Sequence, residues 1–249
     1  MTGSRQSIWG RPMHKEMLLQ TRGLWAGYGG KPVLQGVDID VHKGEIVAVI
    51  GRNGVGKSTL MKSIIGLLPA DRGSISFNEQ TLTHMPPHKR ARHGIGYVPQ
   101  GRDVFPRMTV EENLAVGESI TPGASKALYD DIYARFPILA ERRHQRAGTM
   151  SGGQQQQLAI GRVLIGRPSL ILLDEPSEGI QPNIVMDIAK LAVELNEKTG
   201  VSIILVEQNI DMIRAMAQRC YVMDKGRIVA NLTADMLEDR DTVRRYLAV

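Results

Sequence analysis

Apolar residues recur along this chain in two registers. Ile46–Ile50 (IVAVI) and Leu170–Leu173 (LILL) are continuous apolar runs, the pattern of strands buried on both faces. Leu18–Leu24 and Val33–Val41 alternate instead, and Ser74–Phe77, Ile95–Pro99, Ser202–Val206 and Arg219–Met223 add further short strand-like segments. Helical spacing runs through Lys57–Leu68, Ile184–Lys198 and Ile210–Gln218. Pro69 and Asp71-Arg72-Gly73 stop the first of these, and Pro86-Pro87 opens a short basic helix.

The texture changes after Gln100. Thr109-Val110-Glu111-Glu112 has the spacing of a capping box, and from Thr109 to about Gly166 the pattern is helical with no convincing strand. Strand–helix alternation then resumes, which implies a largely parallel sheet flanked by helices. The predicted organisation is a flexible extension over 1–16, an α/β core over 17–100 and 158–249, and a helical subdomain over about 101–157. No internal repeat interrupts this order.

Composition changes the picture little. The 249 residues are 42% hydrophobic and 23% charged, as in ordinary globular domains. The apolar runs are too short to cross a bilayer, and the basic N-terminus lacks the apolar region of a secretory signal. A single cysteine, Cys220, excludes an internal disulfide and fits a reducing cytosol. The net charge of +5 gathers in two clusters, His88–Arg92 and Glu141–Arg146, which read as solvated helix faces. No aromatic residues are interleaved with them, so nucleic acid is not an expected partner.

Candidate chemistry lies in three places. Gly51-Arg52-Asn53-Gly54-Val55-Gly56-Lys57-Ser58-Thr59 meets the GxxxxGK[ST] spacing. Its glycines let consecutive N–H groups wrap an anion, Lys57 reaches the β- and γ-phosphates, and the Ser58 hydroxyl binds Mg²⁺. Asp174 and Glu175 end a buried strand, where open parallel sheets bind ligands. Asp174 is the expected Mg²⁺ holder, and Glu175 the group that orients or deprotonates an attacking water. Between them, Ser151-Gly152-Gly153-Gln154 opens a helix with a serine cap and two glycines, an anion site in its own right.

With these three segments in this order, the chain resembles the ATP-binding subunits of ABC transporters from about Met17 to Val229. The resemblance implies a RecA-like P-loop core with an antiparallel β subdomain and an inserted helical subdomain. It implies that Tyr28 stacks on adenine and that Gln100, after Tyr97-Val98-Pro99, touches Mg²⁺ and the attacking water. It further implies a head-to-tail homo- or heterodimer with a second ATPase subunit, in which Ser151–Gln154 contacts the partner's ATP. Membrane permease subunits would dock near Gln100–Met108, with Val104, Phe105, Pro106 and Met108 as an apolar rim. Such a subunit works at the cytoplasmic face of the inner membrane and serves a periplasmic solute-binding protein indirectly.

Two departures refine the resemblance. Gln208 stands where most members carry a histidine on the γ-phosphate, and Gln181 stands where an aspartate is common. DEPSEGIQP followed by VEQN resembles subunits of importers for branched-chain amino acids and related small polar solutes. GRNGVGKS and YVPQGRDVFPRMTVEENL look closer to the urea and short-chain amide branch. Thr83–Gln100 also resembles subunits of lipopolysaccharide export, and a soluble ABC-type ATPase is the reading from a different class.

Overall fold

The computed structural model describes residues 16–121, 123, 125–239, 244 and 246; the expected extension lies, but for its last residue, outside them. Two long strands open the fold, β1 (Met17–Tyr28) and β2 (Lys31–His42), joined by a two-residue turn. Gly29 and Gly30 both hold positive φ, 56° and 77°, the geometry that a tight hairpin of right-twisted strands requires. β3 (Ile46–Ile50) follows, then α1 (Lys57–Ile65), β4 (Arg72–Phe77) and β5 (Gln80–Thr81). Strands β2-β1-β4-β5 form one antiparallel sheet.

A second sheet is built from β3, β6 (Ile95–Val98), β7 (Leu170–Asp174), β8 (Ser202–Val206), β9 (Arg219–Asp224) and β10 (Arg227–Thr233), in the order β10-β9-β3-β8-β7-β6. All its pairings are parallel except β9–β10. The predicted largely parallel sheet is therefore present, with β10 added as an antiparallel edge. In β7, Leu170 and Leu172 face the antiparallel sheet and α1, whereas Ile171 and Leu173 face the helices on the other side. That double burial is why LILL is apolar at every position.

Helix α1 is wedged between the sheets, touching β1 and β2 on one side and β6 and β7 on the other. Seven of its nine residues are buried, Lys57 among them. It ends earlier than the predicted Leu68, because Gly66 turns left-handed (φ 87°) and its N–H returns to the Lys62 and Ser63 carbonyls. The basic helix α2 (Pro87–Arg92) starts as expected, but its cluster is not uniformly solvated. Arg90 is only 2% exposed, and its guanidinium donates to the carbonyls of Met85, Ser63, Ile64 and Thr83. The cation caps the open carbonyl end of α1, so its burial is compensated by hydrogen bonds rather than by a carboxylate.

Between β6 and β7 the regular elements are helical, as the pattern predicts: α3 (Val110–Val116), α4 (Lys126–Arg135), α5 (Pro137–Glu141) and α6 (Gly152–Ile165). The Thr109 capping box forms in both directions. These helices share one unbroken hydrophobic cluster with α7 (Pro182–Thr199), α8 (Ile210–Met216) and one face of the parallel sheet. α8 stops at Met216, two residues before its predicted end, and α9 (Ala234–Glu238) was not foreseen.

Candidate nucleotide site

The glycine loop joins β3 to α1, and its backbone can be occupied only by glycine at two points. Gly51 has φ 150°, and a Cβ there would lie 2.2 Å from the Met223 carbonyl oxygen. Gly56 has φ 116° and packs against Leu34 and Val33. The loop curls around Lys57, whose Nζ donates to the carbonyls of Gly51 and Arg52, both at 2.9 Å. Arg52, Asn53 and Gly54 remain exposed at its crest, while Val55 is half-buried.

The loop lies beside the acidic end of β7. Ser58 Oγ donates to Asp174 Oδ1 at 3.0 Å, and the Tyr97 hydroxyl donates to Asp174 Oδ2 at 3.2 Å. Burial pushes the Asp174 carboxyl above the usual aspartate range; these two hydrogen bonds oppose the shift, and the neighbouring Glu175 charge adds to it. Burial, and then the Asp174 charge, push the Tyr97 phenol upward as well, so it stays a donor. Glu175 occupies a left-handed backbone conformation (φ 48°), and its N–H is held by the Val206 carbonyl at 2.8 Å.

Both carboxylate oxygens of Glu175 are addressed by glutamines. Gln208 Nε2 donates to Oε1 at 3.3 Å and Gln100 Nε2 to Oε2 at 3.1 Å, while Lys57 Nζ lies 3.5 Å from Oε1. The Gln208 amide also donates to Asn53 Oδ1, which links the glycine loop to the end of β8. Gln100, Glu175 and residues Asn53, Gly54 and Gly56–Thr59 line one cavity of about 270 Å³. Ser58 and Gln100 line this cavity, and the buried Asp174 lies behind it, hydrogen-bonded to the Ser58 hydroxyl; hydroxyl, amide and carboxylate oxygens are a hard-oxygen set that suits Mg²⁺. No group of three or more His, Cys, Asp or Glu gathers among the described residues, so an ion here would also draw on phosphate oxygens or water.

Two of the predicted groups stand apart from that cavity. Tyr28 is 49% exposed at the end of the β1–β2 hairpin. Ser151 caps α6, with Ser151 Oγ accepting from the Gln154 N–H at 3.4 Å and Gln154 Oε1 accepting from the Ser151 N–H at 3.1 Å. Gly153 is buried against α7, where a Cβ would lie 2.6 Å from Ile184 Cγ2. Gly152 faces the Arg102 guanidinium.

Sequence reasoning missed three contributors. Tyr97 was read only as a marker for Gln100. Glu207, 3% exposed, accepts from the backbone N–H groups of Ser177, Gln208 and Asn209 and so fixes both the loop after β7 and the start of Gln208. Arg102 donates to the Glu178 carbonyl at 2.7 Å. A buried acid directly after an apolar strand was the one available signal, and it applied to Glu207 as much as to Asp174. Phe105 and Met108 of the expected apolar rim are exposed, while Val104 packs inward. The Arg162 guanidinium lies over the Phe105 ring, 5.1 Å from its centroid.

Residues 34–178 match the family model described as ABC transporter. The high-affinity branched-chain amino acid transport ATP-binding protein BraG of Pseudomonas aeruginosa is 45% identical over 218 residues, 87% of this chain and 93% of that protein. The lipopolysaccharide export system ATP-binding protein LptB of Escherichia coli K12 is 32% identical over 234 residues, 92% of this chain and 96% of that one. The crystal structure of a nucleotide-free ATP-binding cassette from an ABC transporter superposes with a TM-score of 0.79 at 30% identity, covering 93% of this chain and 99% of the other.

Proposed function

The chain belongs to the ABC transporter ATP-binding family and hydrolyses ATP in the service of transport; from that premise we propose that it powers an importer for branched-chain amino acids or a related small polar solute. One observation carries the catalytic half of this reading. Glu175 is presented to the cavity by amides on both oxygens, beside Lys57 and Ser58. Glu175 serves as the base that takes a proton from water as it attacks the γ-phosphate. Gln100 and Gln208 aim that carboxylate, and Lys57 stabilises the charge developing on the phosphate. Ser58, Asp174 and Gln100 would hold Mg²⁺, which supplies charge neutralisation to the phosphates. Tyr28 stacks on the adenine, and Ser151–Gln154 completes the site of a second subunit.

The solute assignment rests on the likeness to BraG and on DEPSEGIQP with VEQN. Permease subunits dock at the exposed Phe105–Met108 rim, and through them the chain sits at the membrane. No described helix is itself long and apolar enough to cross one. The test is reconstitution with permease subunits and a solute-binding protein of a branched-chain amino acid importer. Leucine or isoleucine should stimulate ATP hydrolysis in proteoliposomes. Stimulation by urea or short-chain amides alone would move the protein to that branch. Stimulation only by lipopolysaccharide would overturn the importer reading.

A further inference from the structure

The segment Gln100–Asp103 touches the residue after β7, the loop that follows it, and α6 at two points. Gln100 reaches Glu175 Oε2. Arg102 NH2 donates to the carbonyl of Glu178 at 2.7 Å and lies 3.5 Å from that of Gly179. Both terminal nitrogens of the same guanidinium sit 3.1 Å from where a Cβ on Gly152 would be, so the fork lies flat against the first turn of α6. The Asp103 carbonyl accepts from Arg162 NH2, further along α6, at 2.8 Å. The backbone is left-handed at both Arg102 (φ 74°) and Asp103 (φ 46°), a pair of non-glycine conformations that bends the chain and projects Arg102 sideways.

The loop it reaches carries two backbone hydrogen bonds, from the Glu178 N–H to the Glu175 carbonyl and from the Ile180 N–H to the Ser177 carbonyl, each 3.2 Å, and Ile180 packs against the core. Its first residue, Ser177, is pinned through its N–H by Glu207. Its last, Gln181, caps α7 without a side-chain hydrogen bond, and Gly179 between them holds φ 63°. Arg102 adds a side-chain hydrogen bond to the carbonyls at the middle of this loop, and it does so while resting on Gly152.

We propose that Arg102 is a positioning residue that locks the loop 177–181 to the Ser151–Gln154 end of α6, so that these two elements meet a second subunit as one rigid surface. The proposal rests on the dimer reading given above. Gln181, the N-cap of α7, adds no side-chain hydrogen bond of its own to that restraint. Arg102 suits the task because a planar fork can hold a carbonyl while covering a glycine backbone; a lysine offers only a point charge.

The test has two arms on the full-length chain. In the single chain, amide hydrogen exchange at residues 152–155 and 177–181 should quicken about tenfold in Arg102→Ala, the loss expected of one charge-assisted hydrogen bond. Exchange at residues 51–59 should stay unchanged. Unaltered exchange in both target segments would overturn the proposal without reference to any dimer. In the second arm, ATP-driven association is followed by light scattering in a Glu175→Gln background. Adding Arg102→Ala should weaken association about tenfold while binding of a fluorescent ATP analogue by the single subunit stays within about twofold. Arg102→Lys should fall between the two. Equal loss of analogue binding and association would show that Arg102 acts on its own subunit's nucleotide site, and would overturn the proposal. If the Glu175→Gln parent itself fails to associate, alone or with a second ATPase subunit of the same transporter class, the dimer reading falls before Arg102 is touched and takes the proposal with it.

Discussion

Replacing Glu175 by glutamine separates the chemical step from binding, and the structure sets the size of each effect. The substitution keeps the side-chain shape, so one amide oxygen can still accept from either Gln100 or Gln208. The other amide loses its acceptor, a cost of about 1 kcal/mol at a site that is 14% exposed. The fold should tolerate that. The charge is a larger change. Lys57 Nζ lies 3.5 Å from Glu175, which at an effective dielectric constant of about 20 is a gross attraction of roughly 5 kcal/mol before solvent discounts it. Removing the carboxylate frees that ammonium for phosphate and also relieves the repulsion that helps to raise the Asp174 carboxyl. ATP should therefore bind as tightly as to the parent, or more tightly. Loss of a general base costs about 10²–10⁴ in rate, roughly 3–5 kcal/mol in the barrier. Phosphate release under saturating ATP, set beside a titration with fluorescent nucleotide, reads the two effects separately. Turnover within threefold of the parent, or affinity lost in step with turnover, would refute the assignment of Glu175 as the base.

Four further outcomes are expected. Gln208→His should add a step near pH 6.5 to the rate profile, because an imidazole titrates there and an amide does not; an unaltered profile would remove Gln208 from the reacting groups. Asp174→Asn should abolish turnover, and the stability of the nucleotide-free variant relative to wild type should rise with pH even though one of the donors Ser58 and Tyr97 loses its acceptor. The raised carboxyl binds its proton more tightly folded than unfolded, so wild-type stability falls as pH climbs above about 4 and the difference should shift in favour of Asn only above that pH; a difference independent of pH would contradict this sign. Gly153→Ala should impair hydrolysis by driving a methyl into Ile184 Cγ2, and adding Ile184→Ala should restore a measurable part; no recovery would mean the glycine is required for a reason other than packing. Glu45→Gln should lose about 3 kcal/mol at neutral pH in chemical denaturation, with the difference closing in acid. Burial alone would raise the Glu45 carboxyl, but hydrogen bonds from Arg219 and the His42 N–H, with the Arg219 charge, hold it below the usual range, so its contribution is present above the ordinary glutamate pKa and lost as pH falls.

What could be read from the sequence was whatever a local spacing encodes. The glycine loop, the Thr109 capping box, the serine cap at Ser151, the doubly buried strands and the acids at the end of β7 each depend on residues within a few positions of one another. The contacts that spacing could not supply join distant segments: Tyr97 to Asp174, Asn53 to Gln208, Glu207 to Ser177, Arg102 to Glu178. Arg90 was misjudged for the same reason, since nothing near it reveals that the end of α1 lies within reach of its guanidinium. One fact of topology accounts for most of these pairings. Strands β3, β8, β7 and β6 are consecutive neighbours in the sheet and run parallel, so their carboxyl ends open onto one edge. The glycine loop follows β3, Gln208 lies two residues past β8, Asp174 and Glu175 close β7, and Gln100 lies two residues past β6. Four unrelated stretches of sequence thus deliver their side chains side by side, in an order set by the sheet rather than by the chain. It follows that Gln208 and Gln100 must approach Glu175 from opposite sides, because β7 lies between β8 and β6. The bonds to Oε1 and Oε2 are the imprint of that strand order on the chemistry of the site.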